Sequence, residues 1–282
     1  LMGSKSRSLR LRAAGLQLSM APIFSAMLVG CQTSNTRLQT LPRSTITNWD
    51  HLQSALTAGN GHTTRGTRIR IYIEGDGHAW ATRSRPSLDP SPKKPLIARL
   101  AFEDPTPGIY LARPCQHIKT AGCHPRLWTS HRLSEEVVSS LGQALDQISS
   151  QGNRDFELVG YSGVAALALL LAARREDIAQ IQTLAGNLPP RRWAALQQLS
   201  PLEGSLDPED HLAQLRHIPQ RHLAGEEDRI VPAILMQTYV KSLDSLVCVE
   251  GAKFRVSAMA MAVTVVWMLP PLVFIVPGAL VL

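Results

Sequence analysis

The chain has 282 residues, 44% of them hydrophobic, which is enough for one large or two small domains with a buried core. It carries a formal net charge of +7, but Lys5, Arg7, Arg10 and Arg12 contribute four positive charges in a segment without acids. The remainder, 25 basic and 22 acidic residues or +3, contains no basic stripe with interleaved aromatic residues. We therefore expect no nucleic-acid partner.

Residues 1–30 are predicted to be a signal peptide. A basic stretch through Arg12 leads into the apolar run 13–30, which ends directly before Cys31. The residues Leu28-Val29-Gly30-Cys31 resemble the lipobox of bacterial lipoproteins. This resemblance implies lipidation at Cys31, a membrane anchor in the bacterial cell envelope and, from Gln32, the periplasmic face of the outer membrane. A transmembrane helix or an ordinary buried cysteine is the alternative.

Residues 31–67 are predicted to form a tether and N-terminal extension, because 32–53 are rich in Ser, Thr and Asn. The folded domain is predicted over residues 68–252. Its first strand, Ile69 to Ile73, alternates in hydrophobicity and stops at Glu74-Gly75-Asp76-Gly77-His78. Glycines directly after a strand allow backbone N–H groups to point outward, where they can bind an anion.

The next elements are a short helix over 96–101, a strand over 109–112 and a long loop. Cys115 and Cys123 bracket seven residues of that loop, and in an oxidising periplasm this arrangement predicts a disulfide. A metal site would need more ligands, and the nearby histidines match no familiar zinc spacing. We expect no metal and no cofactor. A helix follows over 134–150.

The most informative stretch runs from Phe156 to Ala173. An apolar strand reaches Gly160, Ser162 follows within two residues, and the apolar run 165–173 continues as a helix. A serine on such a turn projects its hydroxyl above the sheet edge, and the next N–H, that of Gly163, is free to bind an oxyanion. The pattern therefore favours a nucleophile, although the glycines alone also suit a simple strand-to-helix connection with a serine cap.

Further strands are predicted over 178–184, 222–225 and 246–249, with Asp228 just after the second of these. Strands that alternate with helices of this length predict an α/β fold, with a mainly parallel sheet and helices on both faces.

With these pieces together, residues 68–251 resemble an α/β-hydrolase of the bacterial lipoprotein type. The matching motifs are Tyr72-Ile73-Glu74-Gly75-Asp76-Gly77, Tyr110-Leu111-Ala112-Arg113-Pro114-Cys115-Gln116, Gly160-Tyr161-Ser162-Gly163 and Gly225-Glu226-Glu227-Asp228-Arg229-Ile230-Val231-Pro232. The resemblance implies that Ser162 is the nucleophile and that Asp228 orients a histidine. It also implies that N–H groups of Gly163 and of Asp76 or Gly77 form the oxyanion hole.

The sequence departs from this family at the histidine, which the family carries in a Gly-x-x-His turn after its last strand. Here the corresponding turn is Gly251-Ala252-Lys253-Phe254, and no histidine follows His222. Three explanations remain open. The serine is not activated, or a histidine from elsewhere serves, or the reading frame changes near Lys253. His78 is the nearest substitute, although a base on the oxyanion loop is expected to approach from the wrong side.

Residues 253–282 form an apolar tail, which is uncharged from Val256 onward and interrupted by Pro270, Pro271 and Pro277. The tail is interpreted as a non-native or disordered end, a membrane segment or a buried helix. The resemblance implies hydrolysis of a small carboxylic ester or related acyl substrate. The alternative is a non-catalytic envelope lipoprotein that uses the fold as a binding scaffold.

Overall fold

The computed structural model describes residues 56–58, 68–94, 96–104, 108–150, 152 and 155–254. The predicted signal peptide (residues 1–30), the lipidation site Cys31 and the apolar tail from residue 255 onward lie outside the described residues.

A seven-stranded sheet forms the centre of the described chain. Its strands are β1 (Leu56–Ala58), β2 (Arg68–Ile73), β3 (Gly108–Leu111), β4 (Asp155–Tyr161), β5 (Ile178–Leu184), β6 (Gln220–Gly225) and β7 (Val249–Phe254). They pair in the order β1-β3-β2-β4-β5-β6-β7. The strands from β2 to β7 run parallel, and β1 is antiparallel to β3. The predicted α/β fold with a mainly parallel sheet is confirmed.

Helices cover both faces of this sheet. They are α1 (Leu96–Glu103), α2 (Glu135–Ser150), α3 (Ala165–Ala172), α4 (Pro190–Leu196), α5 (Leu212–Leu215) and α6 (Ala233–Leu243). A hydrophobic core lies on each face of the sheet, and successive residues of β2 point into opposite cores. Ile71 faces the apolar cluster of α2, α3 and α6, and Tyr72 faces the cluster that includes α1. All eight side chains of α3 are buried, since this helix packs between the sheet and α2.

The strand β1 lies within residues 31–67, which were predicted to be a tether and N-terminal extension, and it pairs with β3. None of the helices among the described residues is long and apolar enough to cross a bilayer.

The last strand differs from the prediction. Residues 246–249 are apolar, but Leu246 and Val247 are exposed, and the strand runs instead from Val249 to Phe254. Phe254 pairs with Gly225 of β6, and Gly251 provides the space in which Met236 of α6 packs. The turn that was assigned to the family histidine is therefore part of β7, and any turn after that strand lies beyond the described residues.

Candidate active site

Ser162 stands on a strained turn between β4 and α3. Its φ is +54°, a region that L-residues adopt at a cost of about 1–3 kcal/mol and that persists only where the surrounding structure imposes it. A single 3₁₀ turn, Ser162–Val164, joins the strand to the helix. The half-buried serine thus lies at the carboxyl end of a central parallel strand, which is the geometry of a nucleophile elbow.

Two neighbours explain why the chain turns here. A methyl group on Gly160 would lie 2.8 Å from Ala165 Cα and 3.0 Å from the Ala165 carbonyl oxygen, so only glycine allows the strand and helix to approach this closely. The N–H of Asn187, just beyond β5, donates to the Ser162 carbonyl at 3.0 Å. The turn is therefore fixed by backbone contacts on both sides.

The loop after β2, residues 74–78, lies over this elbow. A methyl group on Gly75 would lie 3.4 Å from the Tyr161 carbonyl oxygen, and one on Gly163 would lie 1.8 Å from Asp76 Oδ2. Gly77 has a φ of +61°, and a Cβ there would collide with the Pro90 carbonyl oxygen at 2.1 Å. The structure thus brings together Gly163, Asp76 and Gly77, the three residues predicted to form the oxyanion hole. The N–H groups of Asp76 and Gly77 donate to no acceptor among the described residues.

Two buried arginines hold the carboxylate of Asp76. Arg113 Nη1 lies 3.4 Å from Oδ1, and Arg132 Nη1 lies 3.0 Å from Oδ2. Arg113 also donates to the Leu127 and Arg132 carbonyl oxygens. Burial lowers the pKa of Arg113 to about 10, against the attraction of Asp76, so the guanidinium stays charged at neutral pH. The negative charge beside Gly163 is thereby neutralised.

The loop after β3 supports the oxyanion loop. The buried side chain of Gln116 accepts from the Arg113 N–H at 3.1 Å and donates to the Gly75 carbonyl oxygen at 3.0 Å. The predicted disulfide between Cys115 and Cys123 is present in this same loop. Together these contacts connect the loop after β3 to the loop after β2, which lies over the elbow.

Glu74 is the most deeply buried acid beside the elbow. Its Oε1 accepts from the Gly75 N–H at 2.8 Å, and its Oε2 accepts from the Tyr110 hydroxyl at 3.0 Å. His117 Nε2 lies 3.2 Å from the same hydroxyl. Burial raises the pKa of Glu74, an effect that these two hydrogen bonds and the charge of Arg113 oppose.

These residues border a cleft of about 310 Å³ with Ser162 in its wall. The other lining residues come from the oxyanion loop, from the segment before α1 and from the elbow: Glu74, Gly75, Asp76, Gly77, His78, Pro92, Lys93, Lys94, Leu96 and Tyr161. The cleft is large enough for a small acyl group, and it places charged side chains of both signs around the serine.

Asp228 lies at the same sheet edge but does not line this cleft. It follows β6, and its Oδ1 accepts from the N–H groups of Ile230 at 2.9 Å and Val231 at 3.0 Å. Its charge acts at the elbow, because Asp228 and Glu74 add to burial in raising the pKa of Tyr161. Its Oδ2 accepts no hydrogen bond from the described residues.

His222, the last histidine in the sequence, is not available to Ser162. It is fully buried in β6, where Nδ1 lies 2.9 Å from Thr183 Oγ1 and Nε2 lies 3.0 Å from Gln220 Oε1. Burial lowers its pKa to about 3, so the ring is neutral. Within the part of the chain that the structure describes, no cluster of His, Cys, Asp or Glu is arranged to hold a metal ion.

The sequence did not indicate two residues of this site. Arg132 lies in a long loop with no motif, and it reaches Asp76 while its guanidinium stacks over the Trp193 ring at 5.0 Å. Asn187 supplies the N–H that holds the Ser162 carbonyl, and its own side chain is fully buried. Each contact joins segments that are far apart in the chain, so no local sequence pattern predicts it.

Comparison with known proteins identifies the fold. No protein-family model matches the chain, and no curated protein matches it either. Among solved structures, an esterase from Pyrococcus furiosus is 10% identical, with a TM-score of 0.55 over 80% of this chain and 85% of the esterase. A cold-adapted esterase from an Arctic intertidal metagenomic library is 14% identical, with a TM-score of 0.51 over 76% of this chain and 84% of its own.

An α/β serine hydrolase homologue from Coxiella burnetii is 15% identical, with a TM-score of 0.50 over 79% of this chain and 92% of its own. The similarity therefore extends over most of each chain. At these sequence identities the similarity establishes the fold and does not establish the activity. The chain has the α/β-hydrolase fold.

Proposed function

We propose that the protein is a serine hydrolase that cleaves a small carboxylic ester or a related acyl substrate, with Ser162 as its nucleophile. The observation that carries this proposal is the positive φ of Ser162 on a strand-to-helix turn beside a cleft. Backbone strain at a non-glycine residue in a cleft is typical of functional positions. A simple connecting turn has no need of it.

In the proposed reaction Ser162 Oγ attacks the acyl carbon, and the carbonyl oxygen becomes negatively charged. The N–H of Gly163 and that of Asp76 or Gly77 donate hydrogen bonds to this oxyanion. Each such donor typically contributes about 3 kcal/mol to transition-state stabilisation. A carboxylate beside Gly163 would oppose the charge if it were unpaired. Arg113 and Arg132 remove this conflict, since both guanidinium groups contact Asp76.

A second candidate function is a non-catalytic binding scaffold. The observation that favours it is that residues 223–282 contain no histidine, whereas the family carries one after its last strand. A serine without a base is a weak nucleophile at neutral pH.

A fluorophosphonate probe separates these two functions. We expect the wild-type protein to be labelled, Ser162→Ala to lose the label, and Ser139→Ala, which changes an exposed serine on α2, to keep it. Absence of label on the folded wild type would favour the scaffold.

We also propose that the protein is lipid-anchored through Cys31 in the bacterial cell envelope, at the periplasmic face of the outer membrane. The support comes from the lipobox-like Leu28-Val29-Gly30-Cys31 and from Gln32. The disulfide between Cys115 and Cys123 is compatible with an oxidising compartment.

A further inference from the structure

The cleft beside Ser162 contains the groups from which a catalytic base can be drawn. Activation of a serine requires a proton acceptor within reach of its hydroxyl. The sequence provides no histidine after His222, and His222 itself is buried in the sheet. Among the described residues that line the cleft, the ionisable side chains besides Tyr161 are Glu74, Asp76, His78, Lys93 and Lys94.

The two carboxylates are already engaged. Both oxygens of Glu74 accept hydrogen bonds, from the Gly75 N–H and the Tyr110 hydroxyl. Both oxygens of Asp76 face guanidinium groups, those of Arg113 and Arg132. These partners compete with Ser162 for the carboxylate oxygens, and this holds for Glu74 although burial raises its pKa.

The two lysines are unsuited for a different reason. Lys93 and Lys94 are both exposed to solvent. Lysines that act as general bases are buried or lie beside another cation, which favours the neutral amine. The exposed position provides no such burial.

His78 has the properties that the other four lack. It is half-buried in the cleft wall, and no described residue makes a hydrogen bond to its imidazole. Its backbone N–H donates to the Pro90 carbonyl oxygen at 3.0 Å. The preceding residue, Gly77, has a positive φ and packs against the same carbonyl oxygen. The backbone at His78 is therefore fixed, while the ring remains free. Imidazole is the side chain that serves most often as a general base.

We propose that His78 is the general base for Ser162, in a dyad that departs from the chain order of the family. The sequence alone suggested that a base on the oxyanion loop would approach from the wrong side, but His78 and Ser162 line the same cleft. This inference rests on the proposed hydrolase function. A ring nitrogen of His78 takes the Ser162 hydroxyl proton as Oγ bonds to the acyl carbon, and the carbonyl π electrons move to the oxygen. Collapse of this intermediate breaks the ester bond, and the leaving alkoxide takes the proton from the imidazolium.

In the second half of the reaction a water molecule gives a proton to His78 and its hydroxide attacks the acyl carbon. Ser162 then leaves and recovers that proton, so the enzyme is unchanged and one ester has become one acid and one alcohol. Catalytic groups are defined by their geometry and role, and their order along a chain varies between folds.

Steady-state hydrolysis of p-nitrophenyl acetate by the full chain tests this assignment. We expect His78→Gln to lower kcat by about 100-fold or more with little change in KM, because general-base catalysis contributes factors of roughly 10² to 10⁴. His217→Gln, which changes an exposed histidine outside the cleft, is the matched control and should retain the wild-type rate. After subtraction of the reaction of free imidazole with the ester, added imidazole should restore part of the rate to His78→Ala and none to Ser162→Ala.

The outcomes distinguish this inference from the function on which it rests. If Ser162 is labelled by the fluorophosphonate and His78→Gln keeps kcat within about threefold of the wild type, the hydrolase stands and His78 is not its base. If the folded wild type neither hydrolyses the ester nor takes the label, both proposals fail. Should His78→Gln lose its folded circular dichroism spectrum, the wild-type pH profile decides. A kcat/KM that rises with pH between 5 and 8 supports a histidine base, and a flat profile overturns it.

Discussion

Buried His222 makes the stability of the domain depend on pH. The ring is fully buried among the uncharged side chains of Thr183, Gln220 and Tyr239, and burial lowers its pKa to about 3. In the unfolded chain a histidine has a pKa of about 6.5. Between these two values the unfolded state binds a proton that the folded state does not, so acid favours unfolding. The free energy of unfolding is therefore unaffected by His222 above about pH 6.5, and it decreases as the pH falls from 6.5 towards 3.

The size of the effect follows from these two pKa values. Between pH 8 and pH 5 the uptake of this proton by the unfolded state removes about 2 kcal/mol from the free energy of unfolding. Replacement by glutamine removes the titrating group and leaves every other ionisable residue in place. The free energy of unfolding of His222→Gln should therefore depend on pH less than that of the wild type, by about 2 kcal/mol over this interval.

Urea denaturation at pH 8 and pH 5 measures this difference. His222→Gln will also change packing, but that cost is present at both pH values and cancels in the comparison. His217→Gln, in which the replaced histidine is exposed, should keep the pH dependence of the wild type. An equal change in the free energy of unfolding for the wild type and His222→Gln would refute the reasoning, because it would mean that His222 titrates alike in the folded and unfolded states.

Two further predictions concern the elbow and the anchor. Gly160→Ala should cost about 1–3 kcal/mol of stability and reduce labelling of the nucleophile, since its methyl group would meet backbone atoms of Ala165. Gly142→Ala on α2 should stabilise the protein by about 0.5–1 kcal/mol, because its methyl group would meet no atom beyond its own helix within 4 Å. Urea denaturation measures both changes. In cells grown with labelled palmitate, the protein should be marked only while Cys31 is present. Label that persists in Cys31→Ala would contradict lipidation.

The central part of the fold was predictable because its local patterns are strong. The strand over 178–184 and the helix that ends at Ser150 agree with the structure, since an apolar strand between turns and an apolar helical face each leave a periodic record. The elbow was predictable for the same reason. A small residue before the serine is a steric requirement that appears directly in the sequence as Gly160.

Elements whose stability comes from tertiary contacts were missed or misplaced. The strand β1 has three residues, too few for a pattern, and it exists through its pairing with β3. The apolar residues Leu246 and Val247 indicated a strand but are exposed, and the strand β7 begins later because its backbone pairs with β6. Hydrophobicity alone therefore placed the last strand too early in the sequence.

The same distinction applies to the site. The motifs predicted that Ser162, Gly163 and the loop of Asp76 and Gly77 lie together. In the structure Asp76 lies against Gly163, and Ser162 lines one cleft with Asp76 and Gly77. The arginine pair around Asp76 was not predicted, because Arg132 is separated from it by 56 residues and reaches it only in the folded chain. The availability of His78 likewise depends on which cleft groups are already paired, and only the folded structure shows that.

Ester turnover is the most direct measurement of the central claim that Ser162 is a working nucleophile. The wild-type chain should hydrolyse p-nitrophenyl acetate in repeated cycles, and Ser162→Ala, with an unchanged circular dichroism spectrum, should lose that activity by at least about 1,000-fold. If Ser162→Ala turns over the ester as fast as the wild type, the nucleophile lies elsewhere and the account of this site is wrong.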